Sequence, residues 1–152
     1  MITIEVDPLY RKLVSPGIVE RAAKATLTQQ SAPDADLAIV LTGDDQIRTL
    51  DRNFLGKDTP TDVLSFPASE TDPETGRLYL GDIVISVPMA EAQAAVGGHS
   101  LEAEVSLLVV HGVLHLIGYD HAEAEEKNLM WGAQKAILLR LDMSPMIIHE
   151  EE

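Results

Sequence analysis

The sequence contains no cysteine among its 152 residues. Disulfide bonds and thiolate metal sites are therefore excluded, and histidine with carboxylate is left as the ligand set that a metal ion would use. Basic residues are also few, with 11 Lys and Arg against 25 Asp and Glu and a formal net charge of −14. This balance argues against unspecific binding to polyanions, which requires a basic surface.

Signals for export or membrane insertion are not found either. The segment 1–7 lacks the basic and apolar regions of a signal peptide, and His111 and His115 interrupt the longest apolar run. We therefore expect a cytoplasmic protein without a membrane partner. The length of 152 residues and the hydrophobic fraction of 45% suit one domain over residues 1–152, because domains typically contain about 100–200 residues. The last residues, 143–152, are expected to form a flexible tail.

Three of the five histidines lie in one short segment, at positions 111, 115 and 121. On a helix, His111 and His115 would share one face with Cβ atoms about 5–6 Å apart. Gly118 is expected to end that helix in the left-handed conformation, so that the chain can turn back and bring His121 to the same point. Three imidazoles with a fourth position left open are typical of catalytic zinc. The pattern therefore predicts one Zn²⁺ ion bound by His111, His115 and His121.

The histidine spacing equals that of the metzincin peptidase signature, H-E-x-x-H-x-x-G-x-x-H, at every position but one. Gly112 stands where those peptidases carry the glutamate that takes a proton from the zinc-bound water. The ligand pattern thus favours a zinc hydrolase, whereas Gly112 argues against a peptidase. The alternative for a histidine on this apolar helix is a hydrogen-bonded core residue.

Hydrophobic periodicity predicts a mixed α/β domain with a small sheet on which the metal-binding helix packs. The predicted strands are 1–7, 37–41, 61–66 and 78–86, and the predicted helices are 16–29, one from 44 onwards, 88–96, 101–117 and 122–141. The third strand lies between Pro60 and Pro67, which suits a sheet edge because proline cannot donate to the ladder. In the second helix, Ile47, Leu50 and Phe54 are predicted to face the core.

Two further segments contribute to the interpretation of the histidine block. They are G-K-D-T-P-T-D-V-L-S-F-P at 56–67 and G-D-I-V-I-S at 81–86. With the histidines, in this order and separation, they make the chain similar to the YbeY family of bacterial rRNA maturation factors, which are single-domain metal-dependent endoribonucleases. The resemblance implies an α+β fold with a four-stranded mixed sheet and about five helices, and a zinc ion on the three histidines.

The resemblance also implies a biological role. It implies single-strand-specific RNA cleavage in the 3′-end maturation of small-subunit rRNA and in ribosome quality control. The implied partners are RNA rather than DNA, a small-subunit ribosomal protein and a ribosome-associated GTPase.

The chain departs from the family at Leu55, where members commonly carry an arginine assigned to the active cleft. Phosphoryl chemistry requires positive charge near the developing oxyanion, which a leucine cannot provide. Arg52 and Lys57 are the candidate substitutes, and Arg48 shares a helix stripe with Arg52. Asp120 is the candidate partner of a ligand imidazole, or a proton acceptor.

Alternatives to these assignments stay open at the level of the sequence. Arg52 could equally be a solvated surface residue, and Asp120 a turn residue that bonds its own backbone. Asp62 and Ser65 are either cleft residues or ordinary turn and packing residues. Two other functions compete with the nuclease: a zinc hydrolase acting on another substrate class, and a non-catalytic ribosome-assembly factor in which zinc holds the fold. The missing arginine and the net charge favour the second of these.

Overall fold

The computed structural model describes residues 1–55, 61–119 and 123–143. The elements follow in the order β1 (Ile2–Val6), α1 (Pro16–Gln29), β2 (Asp36–Thr42), α2 (Asp44–Leu55), β3 (Val63–Thr71), β4 (Leu78–Ser86), α3 (Val87–Gly97), α4 (Leu101–Ile117) and α5 (Ala124–Arg140). The expected α+β fold, with one four-stranded mixed sheet and five helices, is confirmed within these ranges. Of the predicted tail, only Met143 is described, and it packs against the core.

The sheet has the strand order β1-β2-β4-β3. Strands β1, β2 and β4 run parallel, and β3 runs antiparallel to β4 at the edge. The predicted edge position of the third strand is therefore right, but its predicted end at Phe66 is wrong. The strand continues to Thr71, because a register shift between Pro67 and Glu70 accommodates the proline on an edge strand.

Gly81 allows the edge strand to lie close to β4. It has a φ of 139°, and a Cβ atom at this position would lie 2.2 Å from the carbonyl oxygen of Phe66. Both the positive φ and the close approach require glycine. The glycine of the G-D-I-V-I-S segment is thus explained by the way β3 crosses β4.

Different helices cover the two faces of the sheet. Because successive strand residues point to opposite faces, Ile83 and Ile85 belong to the main core with α1 and α4, while Val84 packs with Ile47 of α2. Helix α4 is buried along most of its length. It therefore lies on the face of the sheet opposite to α2.

Phe54 does not face the core as predicted. Ile47 is buried and Leu50 packs against the same cluster, but the Phe54 side chain is 67% exposed. The periodicity of the helix is correct. Phe54 lies at the margin of the packed cluster, where its ring contacts Phe66 of β3 and stays largely exposed.

No single one of the described helices is long and apolar enough to cross a bilayer. Helices α3 and α4 meet the length and composition requirement only as a pair, and that pair is bent by 114°.

Candidate metal centre

Helix α4 brings the first two predicted ligands together. The Nε2 atoms of His111 and His115 are 3.1 Å apart, and the ring centroids are 4.6 Å apart. His111 is buried and His115 is half-buried, so the pair lies at the boundary between the core and solvent. The four-residue spacing therefore places both imidazoles on one face, at a distance that lets them bind a common ion.

The helix ends at the predicted glycine. Gly118 has a φ of 122° and donates to the carbonyl oxygens of Leu114 and His115, each at 3.1 Å. The next residue, Tyr119, donates to Leu114 at 3.0 Å, as in a Schellman-type ending. The chain thus leaves α4 directly after the histidine pair, before it reaches His121.

Three of the predicted site residues, Lys57, Asp120 and His121, lie outside the described residues. Within 1–55, 61–119 and 123–143, no group of three or more histidine, aspartate or glutamate side chains is arranged to hold a metal ion. The third ligand therefore stays a prediction, and so do the proposed roles of Lys57 and Asp120.

Helix α5 supplies two residues of the site that the sequence pattern did not indicate. The side-chain oxygen of Gln134 lies 2.9 Å from Nδ1 of His111, and Gln134 is 1% exposed. Trp131 packs edge-on against His111, with 6.2 Å between the ring centroids. Because an amide oxygen only accepts, this contact requires a proton on Nδ1 of His111, and Nε2 then presents a lone pair when the ring is neutral.

The geometry of the pair fits a zinc ion. Two nitrogen ligands at about 2.0–2.1 Å from Zn²⁺ and at the tetrahedral angle lie about 3.3 Å apart. The 3.1 Å between the two Nε2 atoms is close to that value. Two lone pairs facing each other at this distance repel unless a proton or a cation lies between them. His111 and His115 therefore fit two positions of a tetrahedral zinc site.

Position 112 cannot carry the catalytic base of a peptidase. A Cβ atom on Gly112 would lie 2.9 Å from Cγ2 and 3.1 Å from Cδ1 of Ile83. Its carbonyl oxygen faces β3, where the Ser65 hydroxyl donates to it at 3.4 Å. This side of α4 is pressed against the sheet, so a glutamate side chain there has no room.

Comparison with known proteins identifies the family. The profile of the family described as Endoribonuclease YbeY matches residues 7–142. The chain belongs to the YbeY endoribonuclease family. The resemblance noted in the three sequence segments is thereby confirmed, and nothing in the comparisons supports the competing functions.

Individual YbeY relatives cover most of the chain. The Endoribonuclease YbeY of Dehalococcoides mccartyi strain 195 is 40% identical over 142 residues, which span 85% of this chain and 83% of the relative. That of Roseiflexus castenholzii is 41% identical over 150 residues, with coverage of 95% and 94%. The solution structure of the target protein VT1 from Thermotoga maritima superposes with a TM-score of 0.59 at 27% identity, with coverage of 98% and 97%.

The remaining candidate site residues lie on α2 and at the start of the edge strand. Arg52 is exposed on α2, which packs on the face of the sheet opposite to α4, so the structure does not bring it to the histidine pair. Ser65 faces α4 through its hydrogen bond to Gly112. Asp62 accepts a hydrogen bond from Thr61 at 3.4 Å, and its Oδ2 atom is buried without a partner among the described residues.

Proposed function

We propose that this protein is a metal-dependent endoribonuclease that cuts single-stranded RNA. The observation that carries the proposal is the His111–His115 pair, held by Gln134, in a chain that matches the YbeY family over residues 7–142. Family membership supports the reaction class, and the pair supports its dependence on a metal. The packing of Gly112 against Ile83 argues against peptide hydrolysis.

The metal in this proposal is one Zn²⁺ ion, with His111, His115 and His121 as its ligands. When bound, a zinc ion would polarise a phosphoryl oxygen and lower the pKa of its bound water to about 7. Gln134 fixes the ring orientation and tautomer of His111, and the Trp131 ring limits how far that imidazole can rotate. The protein's own contribution is therefore a pre-oriented ligand pair at the edge of the core.

The substrate in this proposal is ribosomal RNA. We assign to the protein a role in 3′-end maturation of small-subunit rRNA and in ribosome quality control in the cytoplasm, with a small-subunit ribosomal protein and a ribosome-associated GTPase as partners. The family supports this role. Because the chain carries a net charge of −14, RNA must be attracted by local positive charge rather than by the overall field.

Arg52 is the described residue proposed to provide that charge. It is exposed on α2, one helical turn after the exposed Arg48. Arg52 lies on the face of the sheet opposite to the histidine pair. We therefore propose that it contacts a phosphate elsewhere along the bound RNA rather than the phosphate that reacts. Lys57 and Asp120 complete the proposed set, as phosphate ligand and as proton acceptor or partner of a ligand imidazole.

Metal analysis combined with cleavage of single-stranded RNA tests the proposal. The purified, unchelated protein should contain about one zinc ion per chain, and His115→Ala should lose most of it. His111→Ala should abolish RNA cleavage by the same preparation, while circular dichroism shows that the variant folds. Protein without stoichiometric metal, unchanged RNA cleavage by His111→Ala, or efficient cleavage of peptides would each overturn the assignment.

A further inference from the structure

The last turn of α2 presents an aromatic ring to solvent. All six aromatic residues of the chain lie in the described ranges, and Phe54 is the one that is exposed; the other five are buried or half-buried. Its side chain is 67% exposed, although it lies on the same helical stripe as the buried Ile47. This ring is therefore available for a contact from outside the chain.

Phe66 holds that ring in place. The two ring centroids are 5.9 Å apart, and the ring planes meet at 75°, an edge-to-face arrangement. Phe66 in turn packs against the cluster of Ile47, Leu64 and Val84 between α2 and the sheet. An exposed apolar side chain alone needs no explanation. Phe54 differs because a second ring, itself anchored in the core, limits its orientation while most of its surface stays open.

Positive charge lies on the same turns of α2 as the exposed ring. Arg52 is two residues before Phe54 and therefore leaves the helix on a different side, and Arg48 is one turn earlier; both are exposed on α2. Proteins that bind single-stranded nucleic acid combine cationic side chains that contact phosphates with aromatic rings on which bases stack. The last two turns of α2 carry both elements within seven residues, 48–54.

The edge strand connects this surface to the histidine pair. Phe66 points to the α2 face, while its neighbour Ser65 points to the α4 face and contacts the carbonyl of Gly112, the residue after His111. Because β3 is the outermost strand of the sheet, it is the described element that lies between the two surfaces at this edge. A single strand of RNA that passes the outer edge of β3 can therefore contact both.

We propose that Phe54 is a base-stacking residue: a nucleobase of single-stranded RNA stacks on its ring, while Arg52, on another side of the same helix, binds a phosphate farther along the strand. This inference rests on the proposed endoribonuclease function and adds a substrate-binding position to it. The position is separate from His111 and His115, which lie on the α4 face of the sheet. It therefore makes a prediction about RNA affinity that does not depend on metal content.

The test compares RNA binding by matched variants. The probe is a short single-stranded RNA with a fluorescent end label, and anisotropy is read in the cold, before cleavage. Phe54→Ala should raise the Kd about 5- to 150-fold, the range measured for loss of one stacked base. Phe54→Trp should restore binding to within about twofold, because it restores a stacking surface. Leu139→Ala, which truncates an apolar residue 61% exposed at the end of α5, is the control and should leave the Kd unchanged.

Two further readouts distinguish stacking from charge. Phe54→Ala should leave the dependence of the Kd on salt unchanged, whereas Arg52→Ala should reduce the logarithmic slope by about 0.7, the value for one phosphate contact on single strands. Replacing one nucleotide of the probe by an abasic nucleotide at the stacked position should weaken binding to the intact protein and have no further effect on Phe54→Ala.

The outcomes separate this inference from the function on which it rests. If the intact protein binds and cuts RNA but Phe54→Ala binds as tightly as Leu139→Ala, the stacking site is wrong and the endoribonuclease stands. If Phe54→Trp binds as weakly as Phe54→Ala, the ring has no stacking role. If the intact protein does not bind single-stranded RNA, the proposed function fails, and the stacking site fails with it.

Discussion

Gln134 accepts a hydrogen bond from Nδ1 of His111 over 2.9 Å, and this bond joins α5 to α4 at the candidate metal centre. Both partners are buried. The amide oxygen therefore determines which nitrogen of the imidazole faces the position of the ion. A residue 23 positions away along the chain thus prepares the first predicted ligand for its role.

Gln134→Leu should weaken zinc binding by about 10- to 100-fold, because loss of the group that orients a ligand histidine typically has an effect of that size. Gln134→Glu keeps an acceptor oxygen and should restore much of the affinity. Zinc affinity is measured by competition with a chelator. The matched control is Gln29→Leu, which removes a surface hydrogen bond to Arg140 and should leave zinc affinity unchanged. Equal affinities for both leucine variants would contradict the role of Gln134.

Adding one methyl group at two helical glycines should have opposite effects on stability. Gly112→Ala should lower the free energy of unfolding by about 1–3 kcal/mol, because the new Cβ meets the stiff side chain of Ile83. Gly132→Ala on α5, where no atom lies within 4 Å of the new Cβ, should raise it by about 1 kcal/mol through helix propensity. Urea denaturation measures both values. Stabilisation by Gly112→Ala would show that α4 does not press on β4.

The Arg77–Asp36 pair should make stability depend on pH in the acid range. The Arg77 guanidinium, helped by the Met1 amino group, lowers the pKa of Asp36 from 3.8 to about 2. A carboxyl group whose pKa is lower in the folded chain stabilises the fold above its unfolded pKa, and this contribution is lost as the pH falls through the folded value. Arg77→Met should therefore lower the free energy of unfolding above about pH 4.

The difference between Arg77→Met and the unmodified chain should shrink between about pH 4 and pH 2, as Asp36 takes up its proton. Urea denaturation across this range provides the measurement. Arg140→Met is a suitable control, because Arg140 donates to the uncharged amide of Gln29. The change in the free energy of unfolding caused by Arg140→Met should therefore vary little over the same pH range. An Arg77→Met difference that stays constant down to pH 2 would contradict the assignment.

Leu55→Arg should accelerate RNA cleavage. One preorganised donor that stabilises developing charge is worth about 10²–10³ in rate in other enzymes, and the resemblance described above implies an arginine at this position, where the chain has leucine. Single-turnover cleavage with saturating protein measures the chemical step apart from binding. Zinc content should stay the same, because the position is outside the predicted ligand set. Leu55→Met is the control, and equal rates for the two variants would remove position 55 from the catalytic site.

The sequence predicted the features of the site that are formed within helix α4 alone. The spacing of His111 and His115 specifies a common helical face, and Gly118 specifies where the helix ends; both features depend only on neighbouring residues. Gln134 carries no such signal. A glutamine in a helix is ordinary, and its importance arises from the packing of α5 against α4, which periodicity does not specify.

Phe54 and Pro67 likewise show that local sequence patterns do not predict features that depend on neighbouring elements of the fold. The 3.6-residue period placed Phe54 correctly on the stripe of Ile47, but it could not indicate that the last turn of α2 reaches the margin of the packed cluster. Pro67 was expected to stop β3 because it cannot donate a hydrogen bond. The strand continues because Pro67 lies on an edge strand, next to the register shift in the pairing with β4, where its missing N–H is tolerated. This pairing involves a second strand, so the local sequence around Pro67 does not predict it.

The irregular edge of β3 also bears on self-association. An edge strand offers unpaired backbone groups to any other strand, and long flat edges promote aggregation. Pro67 removes one donor from this edge, and the register shift before Glu70 together with the positive φ of 51° at Ser69 interrupts its regular pleat. The strand that borders the candidate metal centre is thereby a poor template for a second copy of the chain. We expect the protein to stay dispersed at concentrations at which a regular edge strand would promote fibril formation.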